Sequence, residues 1–176
     1  MADTPPSRSS EQPGESHAGT IELHTSDKAG RYAELLPQLR SLVDGEPDLV
    51  ANLANLSAAL MQGIEAASWV GFYILRGGEL VLGPFQGKVA CVRIALGRGV
   101  CGTAAAERRP LVVRDVDAFP GHIACDPDSR SEVVVPIARG GELLGVLDVD
   151  SRMPAAFDDV DAAALVEVAA LVADLW

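Results

Sequence analysis

The three cysteines, Cys91, Cys101 and Cys125, are the residues of this sequence best suited to chemistry. No two of them form a Cys-x-x-Cys pair, but two thiols that meet in a fold can cycle between dithiol and disulfide. Cys101 is a candidate attacking thiol, because it begins a predicted helix whose N-terminus would stabilise a thiolate. Cys125 is the rival, since it lies in a predicted loop that can reach a substrate. A free cysteine can also be a small core residue.

A metal site is an alternative use of these thiols. Together with His122, the three cysteines have the composition of a zinc site. Their spacing lacks the short paired ligands by which structural zinc sites are recognised. We therefore predict no bound metal. We interpret His122 as a hydrogen-bonding residue of a loop rather than a catalytic base.

Acidic residues alternate with apolar ones at the end of the segment ELLGVLDVDS, residues 142–151. Because the side chains of a strand alternate between its faces, Asp148 and Asp150 share one face. Leu144 and Val146 are predicted on that same face. The other face is predicted to be apolar throughout, with Leu143, Leu147 and Val149.

Two carboxyl groups close together on a half-buried face raise each other's pKa. Such a pair can hold a cation, or one member can store a proton near neutral pH. Glu132, at the start of the neighbouring predicted strand, can join Asp148 and Asp150. The alternative is that the strand simply emerges into water.

Two aromatic residues flank a glycine on another predicted strand. Trp69, Gly71 and Tyr73 share one face of it. A glycine between two aromatic rings leaves a hollow with rigid walls, suited to a small apolar group or a cation. A plain aromatic core cluster is the alternative.

The hydrophobic pattern predicts two N-terminal helices, a meander of strands and a C-terminal helix. The pattern changes at Lys28, and the first helix has apolar residues at helical spacing from Leu35 to Val43 and stops at Gly45. The second helix runs from Pro47 to Gly63. The later predictions are a hairpin over 68–85, a strand over 90–96, a Gly-rich turn and short helix over 97–109, a strand over 110–116, a hairpin over 131–151 and a last helix capped by Asp158. This order is typical of an α+β fold with helices packed on one face of the sheet.

Two segments fall outside this pattern. Residues 1–26 are rich in Pro, Ser, Gly and Glu, which predicts a mobile tail before a single domain over 27–176. Residues 114–130 form a long segment without periodicity that contains Cys125. Because loops of this length inside a domain are usually functional or disordered, we predict an ordered loop that covers a site.

Composition excludes several classes of function. The chain has 176 residues, and 14 basic against 25 acidic residues give a net charge of −11. Such a surface repels phosphate backbones and anionic lipids, so we expect neither nucleic-acid nor membrane binding. With no secretion signal and an odd number of cysteines, we expect a cytoplasmic protein with reduced thiols. The apolar last helix could support a homodimer.

Five segments together resemble the free methionine-(R)-sulfoxide reductases, which consist of a single GAF domain. They are WVGFYIL (69–75), LGPFQGKVACVRI (82–94), GRGVCGTAAAE (97–107), FPGHIACDPDSRSEVVVPI (119–137) and GVLDVDS (145–151). The resemblance implies a six-stranded antiparallel sheet flanked by helices and a closed pocket for free methionine sulfoxide. It also implies a thiol cycle that thioredoxin recharges, with no bound cofactor.

The resemblance also implies a role for each candidate residue. It makes Cys125 the attacking thiol and Cys91 its resolving partner, and it leaves Cys101 as a third cysteine of uncertain role. The pocket carboxyl groups and aromatic walls that it implies are Glu132, Asp148, Asp150, Trp69 and Tyr73. Glu132 or Asp150 would protonate the sulfoxide oxygen. The competing interpretation is a GAF domain that binds a ligand or senses redox state without turnover.

Overall fold

The structure, a computed structural model, describes residues 19–123 and 126–176. It confirms the predicted α+β fold with a six-stranded antiparallel sheet, in the strand order β3-β2-β1-β6-β5-β4. The elements are α1 (Lys28–Val43), α2 (Leu49–Gly63), β1 (Trp69–Arg76), β2 (Glu79–Gln86), β3 (Arg93–Ala95), α3 (Gly99–Glu107), β4 (Leu111–Val113), a 3₁₀ turn (Val116–Ala118), β5 (Ser131–Arg139), β6 (Glu142–Ser151) and α4 (Asp159–Asp174).

Both predicted hairpins form, and each closes on a pair of glycines. Gly77 and Gly78 join β1 to β2, and Gly140 and Gly141 join β5 to β6, all with positive φ. Two consecutive residues of positive φ match the twist of the strands they connect, and glycine adopts them without steric cost. The two hairpins pair with each other through β1 and β6, which lie side by side in the middle of the sheet.

The sheet separates two cores, which the prediction of helices on one face did not foresee. Helices α1, α2 and α4 cover one face, but α3 lies on the other with Val100 and Ala104 against Tyr73 and Val134. The strand order explains this position, because α3 connects β3 at one edge to β4 at the opposite edge. The connection must cross a face of the sheet, and the other face is already covered.

Aspartates begin three of the helices. Asp27, Asp48 and Asp158 accept hydrogen bonds from backbone N–H groups in the first turns of α1, α2 and α4. Helix α2 therefore starts after Asp48 rather than at Pro47 as predicted, because the carboxylate of Asp48 caps the Ala51 N–H. The predicted cap at Asp158 is present. The homodimer through this last helix stays a prediction.

One β-bulge changes which side chains of β6 face each core. The β5–β6 register shifts between Ile137 and Ala138, which pair with Gly145 and Leu143 and leave Leu144 unpaired. Leu143 therefore packs in the α3 core and Leu144 against the other core, the reverse of the prediction. An extra residue in one strand breaks the alternation of side chains. Beyond the bulge, the alternation is as predicted.

The packed part of the chain begins before the predicted boundary at residue 27. Ile21 and Leu23 contact the core, and Gln38 Oε1 accepts a hydrogen bond from the Glu22 N–H at 3.1 Å. The rest of the predicted tail, residues 1–18, lies outside the described residues. Within residues 19–123 and 126–176, the helices lack the length and apolar character needed to cross a bilayer.

Candidate functional site

Three carboxyl groups meet on the face of the sheet that α3 covers. Glu132 pairs with Asp150 across β5 and β6, and Val134 pairs with Asp148, so the register brings the three acids together. Glu132 and Asp148 are each only 6% exposed. The predicted acidic face of β6 is therefore buried, and the alternative that this strand emerges into water is wrong.

Cys101 completes this cluster from the first turn of α3. Its Sγ lies 3.2 Å from Asp148 Oδ2 and 3.8 Å from Glu132 Oε1, so the thiol donates a hydrogen bond to Asp148. Burial and the adjacent carboxylates raise the pKa of the Cys101 thiol well above its usual range. The expectation that a helix N-terminus makes Cys101 a thiolate is therefore wrong, because burial and negative neighbours outweigh the helix dipole.

Burial raises the pKa of all three acids. Burial raises the pKa of Asp148 to about 6, and hydrogen bonds that Asp148 accepts from Cys101 and Glu132 limit the increase. Burial and then the charge of Asp148 raise the pKa of Glu132 and of Asp150 well above the usual range. The cluster thus favours the protonated form of its acids more than solvent would, and the three groups titrate together.

Asp148 has an unused acceptor. Its Oδ1 is buried and has no hydrogen-bond partner among the described residues. A buried carboxylate oxygen without a donor is costly, so such an atom calls for a ligand that donates to it. Asp148 lines a small cavity together with Tyr73, Cys101, Glu132 and Asp150.

The cavity lies between this cluster and the long loop. It encloses about 30 Å³, the space of a single water. His122, Ile123, Asp126 and Ser129 form its wall on the loop side. The described parts of the loop thus cover the acidic cluster, as predicted.

The aromatic residues are arranged differently from the prediction. Tyr73 lines the cavity, but Trp69 stacks behind it with ring centroids 6.1 Å apart and is not among the lining residues. The space above Gly71 is filled, because a Cβ there would lie 2.4 Å from the Trp69 ring and 2.5 Å from Phe85 Cβ. The predicted hollow therefore holds the Trp69 side chain itself. A tryptophan two residues away is large enough to fold back over a glycine.

The two remaining cysteines belong to segments beside the cavity. Cys91 is partly buried and precedes β3, and its carbonyl oxygen accepts a hydrogen bond from the Tyr73 hydroxyl at 3.0 Å. Cys125 lies outside the described residues. The nearest described residues on either side of it, Ile123 and Asp126, both line the cavity.

The comparisons with known proteins identify the family. A model described as "GAF domain" matches residues 46–176. The Escherichia coli protein named free methionine-R-sulfoxide reductase is 48% identical over 135 residues, which are 77% of this chain and 82% of that protein. The chain belongs to the free methionine-R-sulfoxide reductase family. The protein of that name from Saccharomyces cerevisiae is 44% identical over 147 residues, which are 79% of this chain and 82% of that protein.

A solved structure extends this assignment to the fold. The free methionine-R-sulfoxide reductase of Neisseria meningitidis, in complex with its substrate, superposes with a TM-score of 0.86 at 50% identity. The match covers 89% of this chain and 94% of that one. The six-stranded sheet with helices on both faces is thus the GAF fold of this family.

An ion-pair group that sequence reasoning missed holds the loop in this member of the reductase family. Lys88 Nζ lies 3.1 Å from Asp126 Oδ1 and 2.6 Å from Asp128 Oδ2. A hydrogen bond from the Asp128 backbone, together with Lys88, keeps the pKa of Asp126 below its usual range. No sequence signal pairs residues this far apart, so only the fold reveals them.

A metal remains a geometric alternative at the cluster. Cys101, Glu132 and Asp148 each offer one ligand atom, and these atoms lie within 4.8 Å of one another. The zinc site considered from the sequence had a different set of ligands, the three cysteines and His122. One of these ligands, Cys125, lies outside the described residues. The prediction of no metal in this family member stays a prediction.

Proposed function

We propose that this chain reduces free methionine-(R)-sulfoxide to methionine through a thiol, sulfenic acid and disulfide cycle that thioredoxin recharges in the cytoplasm. Membership of the free methionine-R-sulfoxide reductase family supports the substrate. The observation that carries the proposal is the buried Asp148 side chain, whose Oδ1 has no hydrogen-bond partner among the described residues, beside two further acids whose pKa values burial raises. The cycle uses the chain's own thiols and needs no bound cofactor or metal.

Asp148 is the proposed partner of the substrate ammonium group. An ammonium donates hydrogen bonds to the free Oδ1 and neutralises the buried charge, which removes the cost of burying it. In a peptide the same nitrogen is an uncharged amide, and the chain would have to leave an enclosed cavity. This pairing explains a preference for the free amino acid.

Glu132 or Asp150 supplies the proton that the reaction needs. Sulfur–oxygen cleavage leaves an oxygen that must be protonated, and burial and then the charge of Asp148 raise the pKa of both acids well above the usual range, which favours their protonated form. The two groups titrate together with Asp148, so the cluster acts as one proton store. Tyr73, which lines the same cavity, is the proposed contact of the S-methyl group, with Trp69 supporting it from behind.

Cys125 is the proposed nucleophile. Its thiolate attacks the sulfoxide sulfur, the oxygen takes a proton and transfers to the cysteine, and methionine leaves with Cys125 oxidised to sulfenic acid. The Cys91 thiol then displaces water from the sulfenic acid to form a disulfide. Two electrons and two protons from an external dithiol restore both thiols.

Substrate entry requires the cavity to expand. A space of about 30 Å³ holds a water but not an amino acid. The loop-side wall is attached through ion pairs of Lys88, whose side chain is half exposed. The Lys88–Asp128 pair is exposed at both ends and therefore weak, whereas the Asp126 side chain is 8% exposed, so opening of this wall depends mainly on breaking the Lys88–Asp126 pair.

The test is NADPH consumption in a thioredoxin-coupled assay, with free methionine-(R)-sulfoxide present and then absent. We expect sulfoxide-dependent consumption by the wild type and its loss, by at least about a hundredfold, in Cys125→Ser, since the thiolate is the nucleophile. The (S)-sulfoxide and N-acetylmethionine sulfoxide are the matched control substrates and should not be reduced. Retained turnover in Cys125→Ser would remove the nucleophile assignment, and binding without any turnover would favour a ligand-binding or redox-sensing domain.

A further inference from the structure

Exposed apolar side chains are concentrated in the stretch of sequence around Cys91. Val89, Val92 and Leu96 are 87%, 66% and 40% exposed, and all three lie within eight residues of sequence. Only four other large apolar side chains in the described part of the chain are exposed, and they are spread over α2, α4 and the β6–α4 connection. Grouped exposed apolar residues are typical of an interaction surface.

The charge of this segment differs from that of the rest of the chain. Residues 87–98 contain Lys88, Arg93 and Arg98 and no acidic residue, although the net charge of the chain is −11. Lys88 and Arg93 also pair with acids of neighbouring segments, and their side chains stay about half exposed. Together with their partners Asp126, Asp128 and Glu79, these three basic residues leave the segment close to neutral, so it repels an acidic partner less than the net charge of the chain would.

The fold adds a geometric reason for docking here. Strand β3 is one of the two edge strands of the sheet, and Cys91 lies just before it. An edge strand can align an extended segment of a partner through main-chain hydrogen bonds. The hydrogen bond between the Tyr73 hydroxyl and the Cys91 carbonyl fixes this backbone to the cavity wall.

We infer that the surface formed by Val89, Val92 and Leu96, here called the Cys91 surface, is the docking site of the protein reductant. This inference rests on the proposed function, in which a disulfide involving Cys91 must be reopened. The partner that fits is a dithiol protein with an acidic surface and apolar residues around its reactive cysteine. The three apolar residues have no role in sulfoxide reduction itself.

The exchange proceeds through Cys91. The partner's thiolate attacks the Cys91 sulfur, forms a mixed disulfide and releases the Cys125 thiolate, which takes a proton. The partner's second thiol then attacks its own half of the mixed disulfide, frees Cys91 and leaves the partner oxidised. Two electrons pass from the partner's dithiol to this chain.

The test compares two reductants on the same variants. Val89→Ser/Val92→Ser should raise the KM for thioredoxin about tenfold, the loss of roughly 1.4 kcal/mol of docking free energy. Turnover supported by dithiothreitol, which needs no docking surface, should be unchanged. Val50→Ser is the matched control, because Val50 is 57% exposed on α2, and its KM for thioredoxin should equal that of the wild type.

A second readout locates the attacked sulfur. A thioredoxin variant that lacks its second cysteine should be trapped on oxidised wild-type protein as a mixed disulfide at Cys91, identified by peptide mass spectrometry. Trapping at Cys125 or Cys101, or an unchanged thioredoxin KM in the double variant, overturns the inference while leaving sulfoxide reduction intact. Absence of turnover in the wild type with both reductants overturns the proposed function and this inference with it.

Discussion

Asp148 combines the two properties that a binding site for a cationic group requires, burial and retained charge. Its pKa of about 6 leaves it ionised at pH 7, whereas the pKa values of Glu132 and Asp150 are raised well above the usual range. Hydrogen bonds from Cys101 and Glu132 limit the increase in the pKa of Asp148. Cys101 thus contributes here as a hydrogen-bond donor that keeps one acid of the cluster ionised.

Replacing Asp148 by Asn tests the ammonium role. We expect KM for methionine-(R)-sulfoxide to rise about tenfold to a hundredfold, the loss of a charge-assisted contact, with a smaller effect on kcat. The variant should also unfold at a temperature a few degrees higher, because it removes a buried charge at pH 7. Steady-state kinetics and thermal unfolding measure both effects. An unchanged KM would contradict the assignment.

The pKa of Asp148 predicts how substrate binding depends on pH. Burial raises this pKa to about 6, so the carboxylate is present above that pH and lost below it. Affinity for methionine-(R)-sulfoxide should therefore be constant near pH 7 and fall about tenfold for each pH unit below 6. Calorimetric titration of Cys125→Ser measures binding without turnover. In Cys125→Ser/Asp148→Asn this decline should be absent, and its persistence would assign it to another group.

The helices and strands differ in how far the sequence predicts them. Local signals sufficed for the two glycine hairpins, for the cap at Asp158 and for the shared face of Asp148 and Asp150. They failed where contacts between distant segments decide the outcome. The bulge that reverses Leu143 and Leu144 depends on pairing with β5. Similarly, no local pattern shows that Cys101 meets Asp148, because that contact depends on where α3 crosses the sheet.

The start of α4 offers a test of a predicted local feature. The Asp158 carboxylate accepts a hydrogen bond from the Val160 N–H at 2.8 Å and pairs with Lys28 of α1, also at 2.8 Å. Asp158→Ala should lower the free energy of unfolding by about 1 to 2 kcal/mol, which urea denaturation measures. Asp159→Ala is the control, since this exposed residue lies in the first turn, is not the cap, and contributes through the helix dipole, worth about 0.3 to 1 kcal/mol. If both variants lost the same free energy of unfolding, the Asp158 cap would add no stability of its own.

The two faces of the sheet have different roles in the protein. Three helices cover one face with large aliphatic side chains, among them Leu39, Leu56 and Leu165. The other face carries the acidic cluster under a short helix of small residues. Burying charge costs stability, so the apolar face must supply the free energy that holds the acidic face together.

The same substitution at two adjacent residues of β5 tests whether the two faces of the sheet have separate roles. Val133 and Val134 are both fully buried, but Val133 belongs to the helix-covered core and Val134 to the core beside Asp148, its partner in the register. Val133→Ala and Val134→Ala should each lower the free energy of unfolding by about 1.5 to 3 kcal/mol, the value of two buried methyl groups and the space they leave. Only Val134→Ala should raise KM for methionine-(R)-sulfoxide, by about threefold to tenfold, because the space it creates lets the Asp148 carboxylate move. Urea denaturation and steady-state kinetics on both variants decide the question. An equal rise in KM for Val133→Ala would show that the sheet transmits packing changes from one face to the other, and the two faces would then not be separable.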